Sequence, residues 1–84
     1  MGKKKVINKN NPDALKEAGN KAFILKNFKE AINNYTAAIE IQPNHIYYSN
    51  RANAYLELNQ FDECIEDCQK AIDLDKTFSK SYYR

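Results

Sequence analysis

One stretch of this chain is written twice. Phe28, Glu30, Ala31, Ile32, Tyr35, Ala38 and Ile39 have their counterparts in Phe61, Glu63, Cys64, Ile65, Cys68, Ala71 and Ile72, each pair offset by 33 residues. Gly19 and Ala52 obey the same offset. Within each copy the apolar positions recur at helical spacing. A helical hairpin cannot bury its apolar faces alone, so hairpins recurring at this period must stack. The pattern therefore predicts an all-α solenoid of antiparallel hairpins. Repeat one covers about residues 12–44, repeat two about 45–77, and residues 78–84 open a third.

Local signals place the helices. Asn11-Pro12-Asp13 offers an N-cap, a Pro at the first helical position and an acid at the positive end of the dipole. The first helix carries Leu15, Ala18, Gly19 and Ala22 and should end near residues 25–27. The second starts at Phe28 and stops at Gln42-Pro43, because Pro lacks an N–H and disfavours a helical predecessor. A third helix spans about 46–58, and a fourth begins at Phe61. Asp75-Lys76-Thr77 is expected to interrupt it, with Thr77 capping a fifth helix. Small residues mark the close approaches: Gly19 and Ala31 in one copy, Ala52 and Cys64 in the other, and Ala38 and Ala71 facing the next unit. Gly19 costs about 1 kcal/mol of helix propensity relative to Ala, a cost that only close packing offsets.

In the third helix Tyr48, Ala52 and Tyr55 share one face at i, i+4 and i+7, and Asn50, Asn53 and Glu57 share another. This reads as a helix packed on one side and open on the other. The Tyr residues at 35, 48 and 55 are assigned to the core.

Composition narrows the class. Lys3, Lys4, Lys5 and Lys9 crowd the first nine residues, leaving nine Lys and Arg against eleven Asp and Glu in the rest. Residues 1–11 read as a basic, flexible tail, and the body is no nucleic-acid surface by charge. No apolar run approaches the ~20 residues of a membrane span, and no signal-peptide core is present. The expected location is cytoplasmic, with the nucleus as the alternative. Cys64 and Cys68, four apart on a helix, are expected to be small core residues; with His45 the sole histidine, no zinc set can be assembled.

The run Leu15-x-x-Ala18-Gly19-x-x-Ala22, followed by Ala31-x-x-x-Tyr35-x-x-Ala38 and Pro43, resembles a tetratricopeptide (TPR) repeat. Tyr48, Tyr55, Cys64, Cys68 and Ala71 resemble a second one, so the likeness covers residues 12–84. In the carboxylate-clamp members of that family, five groove positions hold the C-terminal Asp of chaperone tails ending in EEVD. This sequence matches all five: Lys16 and Asn20, then Asn50, then Lys80 and Arg84. The resemblance implies binding to the tails of the ninety- and seventy-kilodalton heat-shock chaperones, with Phe23, Ile24, Asn53 and Glu57 as candidates for lining the groove. The chemistry agrees. A terminal Asp presents two carboxylates together, and residues one helical turn apart, such as Lys16 and Asn20, can converge on them.

Residues 71–76 and 79–84 most resemble the N-terminal TPR domain of TPR-containing serine/threonine protein phosphatases, where the domain docks the enzyme on a chaperone. The run Glu66-Asp-Cys-Gln-Lys-Ala-Ile72 is also similar to small glutamine-rich TPR co-chaperones. No phosphatase metal-ligand motif is present, so the expected role is a binding module without catalysis or cofactor. The alternative is a self-assembling scaffold, a homodimer joined through the shortened third repeat.

Overall fold

The computed structural model describes residues 11–83, with side chains through residue 75. Four helices follow one another: α1 (Pro12–Ile24), α2 (Phe28–Ile41), α3 (His45–Glu57) and α4 (Phe61–Tyr83). Helices α1 and α2 form one hairpin and α3 and α4 the second. Helix α3 also packs on α2 and, more lightly, on α1. The fold is all-α among the described residues, as the repeat requires.

Capping chemistry sets most boundaries. The Asn11 side-chain oxygen accepts from the N–H groups of Asp13 and Ala14 at 3.1 and 3.2 Å, and Pro12 occupies the first turn. Asn44 repeats the device on α3, accepting from the Ile46 N–H at 2.7 Å. Both hairpins then turn by the same motif. After α1, Lys26 enters the left-handed region at φ 66°, its N–H donates to the Phe23 carbonyl, and the Asn27 N–H donates to the Ala22 carbonyl. After α3, Asn59 takes φ 62°, its N–H reaches the Leu56 carbonyl and the Gln60 N–H reaches the Tyr55 carbonyl. These are paired Schellman caps, 33 residues apart, satisfying carbonyls that the helix ends leave open.

The core is built on small residues. Ala31, Ala38 and Ala54 are completely buried, with Ala22, Ala52 and Ala71 nearly so. Tyr35 fills the first hairpin at 1% exposure, against the bare backbone of Gly19. A Cβ built on Gly19 would lie 2.5 Å from Tyr35 Cε1, so the glycine is there for contact.

Four expectations need correction. No separate fifth helix begins at residue 78: α4 runs unbroken through residues 75–77. Its position equivalent to Pro43 is Lys76, which keeps its N–H and does not stop the helix. Helix α3 is packed on two sides, since Tyr47 and Ala54, on a face the periodicity did not single out, are also buried. Tyr48 and Tyr55 are only half-buried, because their rings flank the Arg51 guanidinium. Lastly, Cys64 is half-buried and Cys68 exposed. Helix α4 packs on α3 along one side, and Cys68 lies on the stripe with Phe61, Ile65 and Ile72, which are 55%, 65% and 53% exposed.

Candidate functional site

Between α1 and α3 lies an open groove of about 300 Å³, lined by Asn20, Phe23, Ile24, Tyr35, Asn50 and Asn53. None of these six side chains carries a charge, and three are amides. The groove exists because α1 and α3 are the first helices of successive hairpins and lie side by side, with α2 packed behind them. Asn20, Phe23 and Ile24 come from the last two turns of α1. Asn50 and Asn53 come from successive turns of α3.

The two amides at the centre are joined. Asn50 Nδ2 donates to Asn20 Oδ1 at 3.4 Å, and the Tyr35 hydroxyl donates to the same oxygen at 2.5 Å. Tyr35 stands in α2, so three helices converge on one oxygen atom. Burial pushes the Tyr35 phenol above its ordinary pKa, so it keeps the proton it donates. Phe23 packs edge-on against Phe28 with ring centroids 5.1 Å apart, which fixes one wall. Ile24 stands on the rim, 75% exposed.

Lys16 lies on α1 one turn before Asn20. It is half-buried and, among the described residues, pairs with no carboxylate. Its ammonium is not part of the groove lining itself. Glu57 also stands outside it: it is the last residue of α3, exposed where the helix closes into its turn. Lys80 falls on the C-terminal part of α4, with its side chain outside the described residues, and Arg84 lies outside them altogether.

An adjoining cluster escaped sequence reasoning. Arg51 Nε and Nη2 donate to the two carboxylate oxygens of Asp67 at 2.7 and 2.9 Å, and Nη1 donates to Thr36 Oγ1 at 2.9 Å. The guanidinium carbon stands 5.5 Å from the Tyr48 ring centroid and 5.7 Å from that of Tyr55. The hydrogen bond to Asp67 holds the Arg51 guanidinium above its ordinary pKa despite the opposing effect of burial. Asp67 is 3% exposed, and the arrangement is a clamp between α2, α3 and α4, turned to structure rather than to a ligand. The one available signal was an Arg and an Asp 16 positions apart, each on a helix predicted to pack on the other.

Stacked helical hairpins with an open groove along their first helices make a scaffold of the repeat type. The tetratricopeptide repeat profile matches residues 12–45 and again residues 46–78, and the chain belongs to that family. It is 44% identical over 71 residues to small glutamine-rich tetratricopeptide repeat-containing protein 2 of Saccharomyces cerevisiae, covering 83% of this chain and 20% of that protein. It is 49% identical over 59 residues to the Hsp70-Hsp90 organizing protein of Triticum aestivum, covering 69% of this chain and 10% of that protein. Among solved structures, an Arabidopsis OM64 TPR domain superposes with a TM-score of 0.78 at 43% identity, over 82% of this chain and 58% of that one. The chain thus spans a fifth or less of these two curated relatives. Among the described residues, no helix is long and apolar enough to cross a membrane.

Proposed function

We propose that this chain binds the C-terminal acidic tails of heat-shock chaperones, of the EEVD type, through a carboxylate clamp. Lys16, Asn20, Asn50, Lys80 and Arg84 form the clamp, and Phe23, Ile24 and Asn53 accommodate the tail beside it. The observation that carries this reading is the meeting of Asn20 and Asn50 at the centre of the groove, with Lys16 one turn away and unpaired among the described residues. Two carboxylates on one terminal residue need several donors aimed at one spot, and charge-assisted bonds of this kind contribute about 1.5–3 kcal/mol each. Ordering a flexible tail offsets much of that gain, so binding at about micromolar Kd is expected. The relatives' names point the same way: one is an Hsp70-Hsp90 organizing protein. The parent is then a chaperone adaptor acting in the cytoplasm or nucleus. Resemblance in residues 71–84 makes a chaperone-docked serine/threonine phosphatase the alternative parent.

Calorimetry with an EEVD peptide and with its C-terminal amide tests the reading. The free acid should bind and the amide should lose at least tenfold. Lys16→Ala or Lys80→Ala should each weaken the acid at least tenfold and flatten its salt dependence. Equal binding of acid and amide refutes a carboxylate-reading groove.

Self-association is a second reading, favoured by the outward stripe of Phe61, Ile65 and Ile72 on α4. The apparent mass in light scattering should then rise with concentration toward twice the monomer; a constant monomer mass across the series excludes it.

A further inference from the structure

We infer that Tyr35, a residue of the core, sets the polarity of the groove by forcing the Asn20 side chain to face a ligand as a donor. The inference rests on the carboxylate-reading function proposed above and assigns one of its parts.

A free asparagine amide is ambivalent. It carries an acceptor oxygen with two lone pairs and a nitrogen with two N–H groups, and a half-turn about its last torsion exchanges them. Left alone, Asn20 could greet an amide or an ammonium with its oxygen as readily as it greets a carboxylate with its nitrogen. Here the choice is removed. Tyr35 donates to Oδ1 at 2.5 Å from α2, and Asn50 donates to the same oxygen at 3.4 Å from α3. Both lone pairs are occupied, and the pole left over is Nδ2, which makes no hydrogen bond among the described residues. Turning the amide over would set N–H groups against the Asn50 N–H and discard the short bond from Tyr35.

The hydroxyl is well suited to the task. Its ring is 1% exposed and held against Gly19, so the oxygen cannot swing away. The raised pKa keeps the phenol protonated at any ordinary pH. The chain also contains its own control. Under the 33-residue offset, Asn20 corresponds to Asn53, and Tyr35 to Cys68. Asn53 lines the same groove, yet Cys68 is exposed, and Asn53 makes no side-chain hydrogen bond among the described residues. The second hairpin keeps the amide and lacks the group that would orient it. Tyr35 is therefore a positioning residue, and of the two equivalent amides, Asn20 and Asn53, only the first is oriented by a core hydroxyl.

The test is Tyr35→Phe, which keeps the ring against Gly19 and removes only the hydroxyl. Affinities for an EEVD peptide and for its C-terminal amide are measured by calorimetry on the wild-type chain and the variant, alongside thermal melts. The preference for acid over amide should fall about tenfold, on the scale of one lost neutral hydrogen bond, while the melting temperature moves by only a few degrees. A packing role alone would shift the melt and weaken both peptides equally, and that result overturns the inference, as does an unchanged preference. A wild-type chain that binds acid and amide alike would instead sink the proposed function, so the two failures are distinct. If the variant does not fold, side-chain amide resonances of the wild-type chain decide. The Asn20 NH₂ pair should shift on adding the acid and stay in place on adding the amide; identical responses to both peptides refute the assignment.

Discussion

Gly19→Leu is expected to abolish the cooperative fold of the first hairpin. Two effects oppose each other, and their sizes decide the sign. Leu in place of Gly gains about 1 kcal/mol of helix propensity. Against this, the first added carbon already falls 2.5 Å from Tyr35 Cε1 and 2.8 Å from Cδ1, and Leu adds three more heavy atoms beyond it. Overpacking a close contact costs about 1–3 kcal/mol when neighbours can yield, and more when they cannot. Tyr35 has little room to yield, being wholly buried and tied to Asn20. A domain of this size has only about 5 kcal/mol of stability to lose, so the helical signal in circular dichroism should melt broadly or be largely absent at room temperature. A variant melting within a few degrees of the wild type would show that the α1–α2 contact is looser than described.

Asp67→Ala should have an effect of comparable size for a different reason. It removes a carboxylate bound at two points and leaves the Arg51 guanidinium held between Tyr48 and Tyr55 with Thr36 as its remaining partner. Deleting one member of a buried pair costs about 3–5 kcal/mol, because the other charge stays desolvated. At ~4–8 °C per kcal/mol for a small domain, the melting temperature should fall by ~12 °C or more. Thr36→Ala, which deletes only the neutral bond, provides the contrast at about 1 kcal/mol. If the two variants melt alike, the ion pair contributes no more than a surface contact.

Much of the fold could be read from the chain before any coordinates, for identifiable reasons. The offset between Phe28 and Phe61, the Asn11-Pro12 start and the Pro43 stop are local signals that tertiary structure has no cause to override. The meeting of Asn20 with Asn50 across two helices followed from matching motif positions, while the hydroxyl of Tyr35 beneath them did not. Long-range partners of this kind, Arg51 with Asp67 and Tyr47 with Asp13 at 2.9 Å, depend on which faces adjoin, and periodicity leaves that open. The continuity of α4 is hard to read from the sequence because Asp75-Lys76-Thr77 is polar enough to suggest a break but contains neither Gly nor Pro to enforce one. The spacing of Cys68 fits an apolar stripe and so points inward; the stripe is real, but it faces outward.

The two left-handed residues, Lys26 and Asn59, do more than end their helices. Neither is glycine, so each bend is held at a conformational cost of about 1 kcal/mol. Because the dihedral setting is common to both, the two hairpins bend alike, which is what stacking of like units requires. The likeness of the two hairpins is thus written into two corner residues that stand outside the groove lining.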